Sequence, residues 1–158
     1  RALVWGEMSS DEGVIEGNVG RDPRHRQKMT VLEEGGKPAE THFWRLNRLK
    51  EFDYIRLALM TGRTHQIRVH LAWLGHPVLG DPLYGGRRKK LYSVHREARE
   101  RAQSVLEILR RQALHAARLS FLHPVEKREM NFESPLPDDF QRALEFLELS
   151  QTRSKESS

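Results

Sequence analysis

The chain has 158 residues, of which 27 are Lys or Arg and 22 Asp or Glu, for a formal net charge of +5; 37% are apolar, 31% charged and none is cysteine. That length reads as one domain with a substantial core, and the missing cysteines exclude disulfides, thiolate metal sites and a cysteine nucleophile, in keeping with a reducing, cytoplasmic setting. No run of 18 or more apolar residues marks a membrane helix, and the positive balance favours a polyanionic partner.

Residues 1–5 are strand-like and start without an initiator Met or a signal peptide, as expected of a piece of a longer polypeptide. A polar connection, 6–13, leads to a short extended piece at 14–17. The basic loop 20–28 has two readings: a solvated loop, or an arm whose Arg24, Arg26 and Lys28 neutralise phosphate. Residues 29–32 form a strand and 33–37 a hairpin turn. Residues 39–49 alternate, with Thr41, Phe43, Arg45 and Asn47 on one face and His42, Trp44, Leu46 and Arg48 on the other, and 54–59 supply an antiparallel partner.

Beyond residue 84, two glycines precede the basic run Arg87-Arg88-Lys89-Lys90. Residues 91–111 read as a single charged helix with a thin apolar stripe, either a solvated outer element or an RNA-contacting face. A buried strand pair is expected at 114–122 and 127–132, and 135–139 can cap a last amphipathic helix carrying Phe140, Leu144, Phe146, Leu147 and Leu149. The domain spans 1–149, and 150–158 form a polar tail expected to be disordered. Trp5, Trp44 and Trp73 are most simply core, and Tyr84 is either core or a base-stacking ring.

The chain is organised around Leu59-Met60-Thr61-Gly62-Arg63-Thr64-His65-Gln66-Ile67-Arg68-Val69-His70, followed by the Gly/Pro-rich turn of 75–85. A strand ends at Gly62 and a helix begins that Thr64 can cap. At about 100° per residue, Ile67, Leu71 and Leu74 fall on one side and Val69 and Trp73 on the other, so the helix is buried on two faces. Gln66 and His70 share one polar lane between them; His65 and Arg68 lie in the other, beside Ala72 and Gly75. An arginine flanked by such small residues is partly desolvated and needs a carboxylate or phosphate opposite it, because a buried charge without its partner costs on the order of 3 to 5 kcal/mol. Asp81 is the most tempting carboxylate, although its setting in Gly80-Asp81-Pro82 is that of an Asx-turn or a cap. No H-E-x-x-H pair, G-x-S-x-G elbow or phosphate-binding glycine fingerprint is present, so no metal and no cofactor are expected.

Together with Gln112-Ala113-Leu114-His115-Ala116 and His123-Pro124, the stretch Leu59-x-Thr61-Gly62-Arg63-Thr64-His65-Gln66-Ile67-Arg68-Val69-His70 and the turn Gly75-His76-Pro77-x-x-Gly80-Asp81-x-x-Tyr84-Gly85 resemble the RluA-type pseudouridine synthases, particularly the RluC/RluD branch that acts on large-subunit ribosomal RNA. The resemblance covers about residues 1–149. It implies an α+β fold, a mixed, mainly antiparallel sheet flanked by helices and incomplete at the N-terminus, and cofactor-free isomerisation of a uridine in RNA. In that family an aspartate attacks the flipped nucleotide, and the base is released, turned and rejoined through carbon 5. The aspartate lies in an H-R-L-D-x-x-T-S-G motif that nothing here matches, so the nucleophile is expected upstream of Arg1 and the chain alone is expected to be inactive.

By resemblance Arg68 pairs with that aspartate and is the catalytic residue of this segment. Ile67, Val69 and Leu59 wall the base pocket, and Arg63, Thr64, His65 and Gln66 face RNA from the helix start, where orphan N–H groups favour anions. Arg24, Arg26, Lys28, Arg87 and Arg88 are expected as outer, salt-sensitive RNA contacts. The partner is RNA, ribosomal before transfer RNA, the protein is expected to be a monomer, and no membrane is involved. The alternatives are a non-catalytic RNA-binding module and a phosphodiester-processing enzyme using His65 or His70.

Overall fold

The computed structural model describes the backbone of residues 1–156 and side chains through residue 151. Five strands, β1 (Ala2–Trp5), β2 (Glu12–Arg21), β3 (Met29–Leu32), β4 (Lys37–Leu49) and β5 (Phe52–Leu59), form an antiparallel sheet in the order β1-β5-β4-β2-β3. Helix α1 (Gln66–Trp73) follows β5, then α2 (Arg88–Ser93), α3 (Arg96–Ile108), the hairpin β6 (Arg118–Leu122) and β7 (Glu129–Glu133), and α4 (Asp138–Glu156). The expected α+β architecture, a mainly antiparallel sheet with helices, is therefore present. No helix among the described residues is long and apolar enough to cross a membrane.

The sheet is covered on both faces because β4 changes face midway. Arg45 pairs with Ile55 but Asn47 pairs with Tyr54, so a bulge between them turns Asn47 and Leu49 away from the face of Thr41, Phe43 and Arg45. Strict alternation placed Asn47 with those three, and the extra residue at the bulge is the physical reason that it departs. The first half of β4 meets α1, where Gln66 Nε2 donates to Thr41 Oγ1. Its second half meets α4, through Asn47 and Glu148. The tilted pairs Trp5–Phe52 and Tyr54–Phe140 tie β1, β5 and α4 into one core, with ring centroids 4.8 and 6.0 Å apart.

β2 is longer than the short extended piece expected, because it pairs with β4 from Glu12 to Val19 despite a polar outer face. The single helix expected over 91–111 is two. Val94 and His95 are extended, and the Arg99 guanidinium folds back to donate to the carbonyls of Leu91 and Val94, where a cation satisfies the end of a helix. In α4, Phe140, Ala143, Leu144 and Leu147 are buried, whereas Leu149 is exposed. The helix continues through Glu156, into the stretch expected to be disordered; residues 157 and 158 lie outside the described ones. The hairpin β6–β7 is not buried. Leu119, Phe121, Leu122 and Phe132 are all exposed, since no described helix or strand makes an extensive contact with the hairpin.

Candidate active site

Besides β5, two pieces of chain are laid against β1, and the first of them leads into the site. Val4 and Ala2 bridge to Val78 and Leu114, the Trp5 N–H donates to the carbonyl of Pro77, and the Leu79 N–H donates to that of Leu3. The chain then turns at Gly80 and returns at Gly86, whose carbonyl accepts from the Gly80 N–H and from Trp5 Nε1. Gly86 can be nothing else, because a Cβ there would stand 1.8 Å from the Val78 carbonyl oxygen. Gly86→Ala is expected to cost about 3 kcal/mol, the upper end of overpacking, whereas Gly62→Ala, with nothing near it, should change stability by less than about 0.5 kcal/mol. Comparable urea midpoints for the two would refute this.

The loop so closed holds Asp81, which is fully buried. Its Oδ1 accepts the N–H groups of Leu83 and Tyr84 at 2.9 and 3.0 Å, the Asx-turn that the flanking glycine and proline suggest. It also does more. Arg68 Nε and Nη2 donate to Oδ2 and Oδ1 at 2.7 and 3.0 Å, a side-on, two-pronged pair. The carboxylate facing Arg68 here is thus Asp81, inside this chain, where the resemblance named an upstream aspartate. Burial would raise the Asp81 pKa, but Arg68 and the two backbone donors outweigh it and hold the carboxyl below its usual range. With both oxygens occupied and no exposure, Asp81 is built to hold a cation rather than to attack a substrate. Arg68 has a side chain 13% exposed. Asp81 raises its pKa further, and Nη1 is left as the donor it can offer outward.

Tyr84 organises the other side of Arg68, whose guanidinium carbon lies 4.8 Å from the centre of its ring. The Tyr84 hydroxyl accepts the Met29 N–H at 3.0 Å and lies 2.9 Å from His65 Nδ1. Burial, then Arg68, lower the His65 pKa, so the neutral ring can accept the Tyr84 proton. His65 itself precedes α1 in the left-handed region at φ 56°, an uncommon backbone for a residue with a side chain. It takes the helix-start position that Thr64 was expected to fill. Thr64 is exposed and makes no side-chain cap.

Gln66, the first residue of the helix, instead braces the turn ahead of it against β4. Its Oε1 accepts the Arg63 N–H and the Thr61 hydroxyl, and its Nε2 donates to the Glu40 carbonyl and to Thr41. At 2% exposure and fully bonded, Gln66 has nothing left for RNA, contrary to its expected placement. The Thr41 hydroxyl also meets His70 Nδ1 at 3.0 Å, whereas His70 Nε2 is buried without a partner among the described residues. Burial lowers the His70 pKa from 6.5. The unfolded chain therefore binds more protons below pH 6.5, and stability falls as pH drops through that value. His70→Gln is expected to flatten the decline in urea midpoint between pH 6.5 and 5; an unchanged slope would remove His70 from the account.

The remaining expected residues do not sit together. Arg63 Nε donates to the Pro38 carbonyl, reaching across to β4. Ile67 packs on the main core, and Val69 on a second one with Val19 and Ala39; Leu59 is 47% exposed at the end of β5. Arg24 and Arg26 project from a tight loop whose Asp22 carboxylate accepts the N–H groups of Arg24 and His25. Lys28 and the run after Gly86, which are distant in sequence, meet: Lys28, Arg87, Arg88 and Lys89 line one groove of about 900 Å³ beside Tyr84. Trp73, expected in the core, is 56% exposed on that groove, because α1 ends before another layer covers its last turn. Trp44 is half-buried, with the Arg56 guanidinium 4.2 Å from its ring. Among the described residues no group of three His, Asp or Glu side chains could hold a metal ion.

Comparison with known proteins places this geometry in a family. Residues 1–73 match the family described as RNA pseudouridylate synthase. The ribosomal large subunit pseudouridine synthase D of Neisseria meningitidis serogroup A is 47% identical over 149 residues, which are 94% of this chain and 38% of that protein. An uncharacterized RNA pseudouridine synthase of Chloroflexus aurantiacus is 42% identical over 94% of this chain and 41% of its own length. Among solved structures, human RNA pseudouridylate synthase domain containing 1 superposes with a TM-score of 0.64 at 27% identity, over 86% of this chain and 53% of that one. The chain thus spans about two fifths of the length of these curated relatives. With its sequence and its overall fold in agreement, the chain belongs to the RluA-type family of RNA pseudouridine synthases.

Proposed function

We propose that this chain carries the arginine half of a site that isomerises uridine to pseudouridine in structured RNA, with large-subunit ribosomal RNA as the substrate and the nucleophilic aspartate in sequence outside the 158 residues. In the reaction the bond from C1′ to N1 breaks and a bond from C1′ to C5 forms; C5 loses its proton and N1 gains one. The observation that carries the reading is the fixed guanidinium of Arg68, held side-on by Asp81 and flanked by the Tyr84 ring, with Nη1 free to meet a second anion. Such a cation keeps an attacking carboxylate ionised and in place. The buried, fully bonded state of Asp81 argues against its being that nucleophile. The relative named for the large ribosomal subunit supports that RNA.

Tritium release from 5-tritiated uridine in ribosomal RNA tests this, comparing the chain with the same chain extended to the length of its relatives. Release from the extended form alone is the expected result. Release from the short chain would move the nucleophile into these residues, and release from neither would favour the RNA-binding module. Binding rests on other groups. Arg24→Glu with Arg26→Glu is expected to weaken RNA affinity about tenfold or more at low salt and to flatten the dependence of log K on log salt. An unchanged slope in a filter-binding titration would exclude that loop from the interface.

A further inference from the structure

The groove beside Tyr84 has a composition that the isomerisation itself does not require. Its wall is Trp73, whose ring is more than half exposed in the last turn of α1, and its rim carries Lys28, Arg88 and Lys89. None of these three cations has an acidic partner among the described residues, although nine of the ten ion pairs there use an arginine. Asp22 is the acidic residue on the groove, and its Oδ1 is turned into its own loop by the N–H groups of Arg24 and His25. A large flat aromatic left in solvent next to unpaired cations matches one ligand shape, a base with its phosphate.

The position of the groove says which base. Tyr84 is shared, with Arg68 against its ring and the groove beside it, and its hydroxyl is pinned between Met29 and His65. Whatever fills the groove therefore lies against the same tyrosine whose ring packs on Arg68. We propose that this groove is a subsite for a nucleotide flanking the target uridine on the same strand, its base stacked on Trp73 and its phosphate held by Lys28, Arg88 and Lys89. The subsite rests on the RNA-directed function argued above. It gives the enzyme a second, sequence-tolerant grip beside the extruded base, because every base offers a π-face.

The test reads binding rather than turnover. A short single-stranded oligouridylate is titrated into the 158-residue chain while tryptophan fluorescence is followed; Trp5 is buried, so quenching reports on Trp73 and the half-covered Trp44. Trp73→Leu is expected to remove most of the quenching and to weaken binding by about 5- to 100-fold, the range of one base–aromatic stack, with Trp73→Phe restoring part of the affinity. Lys28→Gln with Arg88→Gln should lower affinity and the salt slope while leaving residual quenching at saturation. Inorganic polyphosphate should bind without quenching. Quenching that survives Trp73→Leu, equal quenching by polyphosphate, or equal competition by polyglutamate would overturn the subsite. If tritium release succeeds and Trp73→Leu changes nothing, the subsite alone fails; if Trp73 stacks RNA but no uridine is isomerised, the isomerase reading alone fails.

Discussion

Replacing Arg68 by methionine in the extended polypeptide is expected to take tritium release below detection, a loss of at least about 10³-fold, the upper scale for removing one preorganised donor, while RNA affinity stays within a few fold. On the proposed function, the guanidinium is the part of the site that fixes the geometry of the reacting groups. Nε and Nη2 are committed to Asp81, so the plane of the fork is set before anything binds, and Nη1 is delivered at a fixed angle. Methionine fills the same space without the charge. Affinity is expected to survive because the groups proposed to hold RNA, Arg24, Arg26, Lys28 and Arg88, lie on the 22–28 loop and the basic run rather than in the Asp81 pair.

The substitution also leaves Asp81 buried without its cation, at a cost of about 3 to 5 kcal/mol. A second change separates lost folding from lost chemistry. Arg68→Met with Asp81→Asn removes both charges, keeps an acceptor for the Leu83 and Tyr84 N–H groups, and should recover most of the stability and none of the activity. A double variant that regained tritium release would show that Arg68 served only the fold, and an equal fall in RNA affinity and turnover for the single variant would show that it served only binding.

How far the sequence reached depends on which force decides each element. The strands expected at 1–5, 29–32, 39–49 and 54–59 fall on β1, β3, β4 and β5, because apolar alternation and turn residues agree there, although β4 and β5 each start two residues earlier. The demand for an anion at Arg68 was legible from helical geometry, and Asp81 meets it. That Asp81 would be both the Asx-turn and the ion-pair partner was not, since local chemistry explains an aspartate between glycine and proline completely, and its second bond is made across thirteen residues. The bulge at Arg45–Asn47 leaves no mark on composition, yet it reverses a face.

Gln66 shows the opposite error: a polar residue at a helix start in a basic motif looks like a ligand contact, but here Thr61, Arg63, Glu40 and Thr41 use every atom it has. Trp73 and the β6–β7 hairpin were placed inside because aromatic and aliphatic side chains are most often there. Their exposure depends on what else packs against them, which a linear pattern does not contain.

Asp81→Asn is expected to destabilise the chain by about 3 to 5 kcal/mol at neutral pH, as large a loss as any single change here should cause without altering a side chain's volume. The amide oxygen can still accept the N–H groups of Leu83 and Tyr84, so the turn remains. The amide nitrogen then faces the donors of Arg68, and a cation with a side chain only 13% exposed loses its counter-charge. The pH profile identifies the cause. Because the folded pKa of Asp81 is lowered from 3.8, its stabilisation is fully present above that value and is lost as pH falls through the folded pKa. The gap between wild type and Asp81→Asn should therefore be widest near pH 7 and close below pH 3.8, with the protonation of other carboxylates cancelling between the two. Urea midpoints at pH 7 and pH 3 measure it. A gap that stays constant would mean that the amide disturbs the Gly80–Gly86 loop itself, and that the ion pair with Arg68 contributes little to holding the guanidinium where the chemistry needs it.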